Sequence, residues 1–141
     1  MSDSKIIAIY TGFYCGPLRV AVRSKLGYYH ERLEVYRCES LRELSAKVIG
    51  LLASTRPDFL ARLSEIDDRE LMNNKHRKRR YFAERKDLLY LNSPHLEEQY
   101  TQEVCGYWVA TNFGRKETRT LVQMACQAAE IKCESISTIR L

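Results

Sequence analysis

The chain has 141 residues, of which 45% are hydrophobic and 29% charged, with a net charge of +5 at pH 7. This size and balance are those of one ordinary globular domain with a sizeable core. No apolar stretch is long enough to span a bilayer and no apolar leader begins the chain, so we expect a cytoplasmic protein without a membrane partner. Five cysteines without a Cys-x-x-Cys pair argue against both a disulfide framework and a zinc site.

The N-terminal part of the chain alternates in the way that half-buried strands do. Residues 5–10 are mostly apolar, and apolar residues recur at every second position in 18–22 and 33–35. A period of two favours β-strands, with Gly27 in the turn between the second and the third. We therefore predict that 1–38 is a β-rich segment. It either covers the core, which we favour, or supplies a homodimer contact.

Two helices are predicted next. Ser40 and Glu43 have the spacing of a capping box at the start of a helix over 40–53. Pro57 is a favoured first-turn residue, and Thr55 before it is the expected cap of a second helix. Each helix carries an apolar stripe at helical spacing.

The remainder of the chain mixes strands and helices. Strands are predicted at 81–83 and 105–111, separated by an excursion that includes the acidic stretch 97–103. A helix is predicted over 118–130, and 134–141 is expected to be a short helix or a loose end. The fold class is therefore α+β, with helices packed on a small antiparallel sheet and the β-rich N-terminal addition.

A cluster of basic residues precedes the first of these strands. Residues 75–80 hold five Lys or Arg in six positions, and the wider stretch 75–86 holds seven against a single acid, Glu84. Charge runs are typical of solvated surface or of tails that bind nucleic acid. Because the strand that begins at Tyr81 anchors this run, the second interpretation is favoured.

A strand, a polar turn and a basic helix start follow one another at 107–116. Such a turn can present the amide of Asn112 to adenine in the major groove, with Arg115 and Lys116 beside the phosphates. A core strand followed by a solvated basic helix is an equally weighted alternative. Of the two aromatic residues in the strand, Trp108 is the better candidate for the core.

Together these pieces resemble the DNA-binding domain of the SeqA family, bacterial negative modulators of replication initiation that bind hemimethylated GATC sites. The matching residues, in order, are Arg77-x-Arg79-x-Tyr81-Phe82-Ala83, Leu88-Leu89, Tyr107-Trp108-Val109-x-Thr111-Asn112 and Gly114-Arg115-Lys116. The resemblance covers about residues 40 to 141. It divides the chain into the N-terminal segment 1–38 and a SeqA-like DNA-binding domain over 39–141.

The resemblance implies sequence-directed binding of double-stranded DNA at methylated or hemimethylated GATC-like sites. It further implies negative regulation of replication initiation at the nucleoid, without catalysis, metal or cofactor. Contacts to DNA are expected from Arg77, Lys78, Arg79, Thr111, Asn112, Phe113, Gly114, Arg115 and Lys116. The family loop is longer and carries a second Asn, so this chain has one adenine-reading amide where the family has two.

Two other functions remain open at this stage. An RNA-binding module could use the basic run with exposed tyrosines and would prefer single strands or loops. A metal-dependent nuclease could use Asp67, Asp68 and Glu70, although their place in a polar stretch after a helix favours a solvated face.

Overall fold

The computed structural model describes residues 4–12, 17–112 and 114–135, and the α+β class is confirmed. In chain order its elements are β1 (Ser4–Gly12), β2 (Leu18–Leu26), β3 (His30–Cys38), α1 (Leu41–Ala53), α2 (Phe59–Asn73), β4 (Phe82–Ala83), a 3₁₀ helix (Lys86–Leu88), α3 (Pro94–Gln99), β5 (Thr101–Val104), β6 (Tyr107–Ala110), α4 (Arg115–Ala129) and β7 (Lys132–Ser135).

A four-stranded sheet has the strand order β3-β2-β1-β7. The three predicted N-terminal strands are confirmed, and Gly27 takes the positive φ of 75° that the turn between β2 and β3 requires. The prediction for 134–141 is wrong for its first residues, because β7 lies parallel to β1 with Lys132 opposite Ala8. Residues 136–141 lie outside the described residues.

A smaller sheet has the antiparallel order β4-β6-β5. The strand predicted over 105–111 is shorter than expected, because Cys105 and Gly106 form the hairpin turn, with φ of 55° and 86°. The predicted excursion is also ordered, since its acidic stretch forms the end of α3 and then β5.

One main core joins the N-terminal strands to the rest of the chain. Its fully buried side chains include Ile9 of β1, Val20 of β2, Leu44 of α1, Leu63 of α2 and Leu121 of α4. Helix α1 packs against β2 and β3, and α4 packs against β7, α1 and α2, while α2 also contacts β4 of the smaller sheet. No helix in the described part of the chain is long and apolar enough to cross a membrane.

The predicted helix starts are right at α1 and wrong at α2. The Glu43 N–H donates to Ser40 Oγ at 3.1 Å, while the Glu43 carboxylate accepts from the N–H of Glu39 at 2.9 Å. Thr55 does not cap α2, because its hydroxyl donates to the Leu52 carbonyl at 2.6 Å and so closes α1. Helix α2 accordingly begins later than predicted, at Phe59.

Candidate nucleic-acid interface

Asp67 is the least expected residue of this region. It lies inside α2 and its side chain is fully buried, so its prediction as part of a solvated face is wrong. Its carboxylate accepts hydrogen bonds from Arg77 Nη2 at 2.5 Å, from the Tyr81 N–H at 2.7 Å and from the Phe82 N–H at 3.0 Å. A buried carboxylate needs such compensation, and here it fixes the loop that precedes β4.

Arg77 is held by this carboxylate rather than offered to a ligand. Its side chain is only 6% exposed, its guanidinium lies 3.7 Å from the centre of the Tyr81 ring, and Nη2 also donates to the Arg79 carbonyl at 3.1 Å. The predicted direct contact of Arg77 with DNA is therefore corrected. Arg77 positions the loop instead.

Arg80 also turns inward. Its Nη2 donates to the carbonyl and the hydroxyl of Ser64, at 2.9 and 2.6 Å, and its Nε lies 3.8 Å from the Asp67 carboxylate. Lys75, Lys78 and Arg79 are exposed. The basic run thus divides into two side chains bound to α2 and three that face solvent.

Tyr90 connects the basic run to the turn that carries Asn112. The Arg79 guanidinium lies over the Tyr90 ring, 5.0 Å from its centre, and the buried Tyr90 hydroxyl accepts the Asn112 N–H at 3.3 Å. Burial raises the pKa of Tyr90, and the Asn112 N–H partly opposes that rise. Tyr90 therefore contacts Arg79 through its ring and Asn112 through its hydroxyl.

The Asn112 turn is fixed through its backbone. The N–H of Thr111, which is half-buried, donates to the Tyr100 carbonyl at 2.8 Å, just before the bond between Asn112 and Tyr90. Asn112 itself is exposed. Phe113, also predicted at DNA, lies outside the described residues.

The start of α4 contributes exposed basic residues and a helix terminus. Gly114, Arg115 and Lys116 are exposed, as a phosphate contact requires. The Gly114 N–H, however, already donates to the Glu117 carboxylate at 3.1 Å. A phosphate bound at this helix terminus would have to displace that carboxylate from the Gly114 N–H.

The two aromatic residues of β6 lie on opposite faces of the strand. Tyr107 stacks on Phe82, with parallel rings 5.2 Å apart, and packs against the main core. Trp108 packs against a smaller cluster around Leu89, with Lys86 Nζ 5.4 Å from its ring centre. Both are half-buried, but it is Tyr107 that packs on the main core, so the prediction that Trp108 is the better core candidate is wrong.

The nuclease interpretation loses its central residue. Asp67 is committed to one guanidinium and two N–H groups, while Asp68 and Glu70 are exposed on α2. Within the described ranges, no group of three His, Cys, Asp or Glu side chains is placed to hold a metal ion.

The structural roles of Asp67 and Tyr90 were not predicted from the sequence. No local signal marks either of them, because each acts on a partner far along the chain. A cavity of about 440 Å³ also opens beside Arg79, lined by Lys78, Tyr90 and several leucines that include Leu88 and Leu91.

Comparisons of the chain with protein-family models, curated proteins and solved structures yield no match.

Proposed function

We propose that the chain binds double-stranded DNA through the exposed residues Lys78, Arg79, Asn112, Arg115 and Lys116, here called the DNA-reading surface. The observation that carries the proposal is the Tyr90 bridge. It ties an exposed arginine of the basic run to the turn that presents Asn112. Two segments separated in sequence thereby contribute to one surface.

The basic members of this surface suit the phosphate backbone. Lys78 and Arg79 lie on a loop that the buried Asp67 holds in place, and Arg115 and Lys116 open α4. Contacts from such side chains supply most of the affinity and make it salt-dependent, without reading sequence. Arg77 contributes by positioning this loop and not by a contact of its own with DNA.

Asn112 suits base readout. Its side chain is exposed, while its N–H and that of Thr111 are bound to Tyr90 and to the Tyr100 carbonyl. A backbone held in this way allows the exposed amide to be directed at one base edge. An asparagine that pairs with adenine through two hydrogen bonds discriminates by about 1–3 kcal/mol.

The resemblance to SeqA extends this proposal to a biological role. We propose methylated or hemimethylated GATC-like duplexes as the targets, and negative regulation of replication initiation at the nucleoid as the outcome. With one adenine-reading amide instead of two, discrimination between targets should be weaker than two readers would give.

RNA binding is the second candidate, and one observation favours it. Tyr28 and Tyr29, at the tip of the β2–β3 hairpin, are 91% and 94% exposed, as side chains that stack on unpaired bases would be. Competition between duplex DNA and single-stranded RNA of matched length separates the two candidates. Preference for the RNA would replace the DNA proposal.

The decisive experiment measures binding to unmethylated, hemimethylated and fully methylated GATC duplexes and to a random duplex, across a salt series. Asn112→Ala should erase the preference for the target while leaving random-duplex affinity intact. Arg79→Ala should weaken binding to every duplex and lower the salt slope by about one. The control is Arg69→Ala, which removes an exposed arginine of α2 beside Gln127, in the C-terminal half of α4.

The outcomes bear on different parts of the proposal. Failure of the unmodified chain to bind any duplex would overturn it. Equal losses on target and random duplexes in Asn112→Ala would remove the base-reading role and leave only the phosphate contacts. An Arg69→Ala effect as large as that of Arg79→Ala would show that binding follows net charge alone.

A further inference from the structure

Strand β3 is a long edge that the described chain leaves unpaired on one side. It ends the four-stranded sheet, and it pairs with β2 in unbroken register from Leu18–Cys38 to Leu26–His30. The opposite edge of the sheet is β7. Edge strands in monomers are often guarded by proline, a bulge or charged side chains; β3 has no proline and pairs with β2 without a bulge, and its charged residues are two Glu and two Arg of balancing sign.

The face of β3 that carries Glu31 and Arg37 also carries two exposed apolar residues. Leu33 and Val35 are 43% and 44% exposed, and Val35 lies opposite Ala21, which belongs to a cluster apart from the helix-covered core. Exposed apolar side chains on a long, regular edge strand favour pairing with another chain.

We propose that β3 pairs antiparallel with β3 of a second copy of this chain, about a two-fold axis through Glu34. This register pairs all nine residues of the strand with their counterparts. It places Leu33 opposite Val35 of the second copy, and Glu31 opposite Arg37 of the second copy. By symmetry each contact occurs twice, as in any isologous interface.

The charges of β3 favour this register. Arg37 lies opposite Arg19 within its own sheet, and no ion pair to Arg37 is found among the described residues. Glu31 of a second copy, which in its own chain lies 3.5 Å from Arg23 Nε, would provide a carboxylate shared between the two arginines. Opposite charges across neighbouring strands stabilise a pair, and like charges destabilise it.

The central contact of this register joins two copies of Glu34, and its charge is already compensated. Each Glu34 carboxylate lies 3.0 Å from Arg32 Nε of its own chain and accepts a hydrogen bond from the Tyr36 hydroxyl. Moving the axis to Leu33 would place Glu31 opposite Val35 and shorten the ladder. The register centred on Glu34 is therefore preferred.

The first test measures oligomeric state without DNA, so its result is independent of the DNA-binding proposal. Light scattering or sedimentation over a concentration series should show a rise from the chain mass of 16.5 kDa to twice that value. Arg37→Glu should weaken dimerisation about tenfold or more, since it turns two attractive pairs into repulsive ones. Adding Glu31→Arg should restore it.

Folding can be separated from association in the same variants. Arg37→Glu would face Arg19 across the sheet, so the monomer should unfold at the same temperature or higher. Val35→Lys should also give a monomer, because it places lysine on the edge. The control is Met72→Lys, which changes a residue 79% exposed on α2 and should leave the dimer intact.

A second test reports the register. In Glu34→Cys the two introduced thiols would face each other across the axis, and mild oxidation should cross-link the dimer. Arg32→Cys should cross-link far less, because its thiol would lie opposite Tyr36. The unmodified chain, treated in the same way, measures the background from its own cysteines.

Three results would overturn the proposal. One is a chain that stays monomeric at the highest concentration. Another is a dimer that Arg37→Glu and Val35→Lys leave unchanged, since it would use a different surface. The third is cross-linking of Arg32→Cys as efficient as that of Glu34→Cys, which would exclude the register centred on Glu34.

Discussion

The two segments of the DNA-reading surface are held in place by different forces. The basic loop before β4 is fixed by a buried carboxylate, which binds one guanidinium and two N–H groups. The Asn112 turn is fixed by two hydrogen bonds from backbone N–H groups. Loss of the first arrangement leaves buried charge uncompensated, whereas loss of the second removes ordinary hydrogen bonds.

This difference shows that only some of the basic residues in a run are available for contacts with phosphate. Of the five Lys or Arg in 75–80, Arg77 and Arg80 are bound to α2 and three remain exposed. The positive charge in the sequence therefore overstates the number of phosphate contacts. Mutations of the inward-facing arginines should therefore destabilise the fold, whereas mutations of the exposed residues should weaken binding to DNA.

The largest expected effect is that of Asp67→Ala. It would leave Arg77 and Arg80 buried without a counter-charge and two N–H groups without an acceptor. We expect the free energy of unfolding to fall by about 3–5 kcal/mol in urea denaturation. Asp68→Ala, at the exposed neighbouring position, should change it by less than about 0.5 kcal/mol. A loss of under about 1 kcal/mol at Asp67 would contradict the role of the buried carboxylate.

Arg77→Ala and Arg79→Ala sharpen the comparison within the basic run. Arg77→Ala should lower the free energy of unfolding by about 2–3 kcal/mol, less than Asp67→Ala, because the N–H groups and Arg80 still face the carboxylate. Arg79→Ala should leave stability within about 0.5 kcal/mol and should reduce the affinity for DNA together with its salt dependence. Similar stability losses in both variants would contradict the division of the basic run into buried and exposed side chains.

Tyr90→Phe tests the turn. Removing the hydroxyl that accepts the Asn112 N–H should cost about 1 kcal/mol of stability and reduce the preference for target over random duplex. Tyr100→Phe is the matched control, because Tyr100 contributes its backbone carbonyl and not its hydroxyl to the turn. If Tyr100→Phe lowered the preference as much as Tyr90→Phe, the bridge would not be the cause.

The smallest expected effect on stability comes from the ionisation of buried tyrosines, and it appears only at alkaline pH. Burial raises the pKa of Tyr90 and Tyr81, so both phenols are held neutral in the folded protein. Because the folded pKa exceeds the unfolded one, this stabilisation is complete below about pH 10 and is lost as the pH rises further. Thermal unfolding midpoints should fall above that pH, less steeply in Tyr90→Phe. An identical decline in both proteins would exclude Tyr90 as a contributor.

Several elements could be read from local sequence alone. Alternation over 18–22 and 33–35 identifies β2 and β3, because a half-buried strand exposes every second side chain to water, and the short apolar run over 5–10 identifies β1. The Ser40–Glu43 spacing identifies the start of α1, because a helix start leaves N–H groups that nearby side chains satisfy. The basic run and the Asn112 turn were likewise visible as candidate features of a nucleic-acid surface.

The short elements could not be read in this way. Strand β5 and helix α3 hold too few residues for a periodic pattern, and β7 forms only because α4 returns the chain beside β1. Helix α2 was given the wrong start because Thr55 satisfies the end of α1 instead. The sequence of α1 or of α2, taken alone, does not show which of the two helices the Thr55 hydroxyl will cap.

What the sequence determined by itself is the periodicity of its longer elements, the positions of its turns and an excess of positive charge near the second sheet. Only the tertiary structure decided which of those charges are exposed, because that depends on Asp67, which meets Arg77 inside the core across ten residues of chain. It likewise decided that Tyr90 joins Arg79 to Asn112. Local patterns report whether a side chain meets water or protein, whereas long-range contacts decide which protein group it meets.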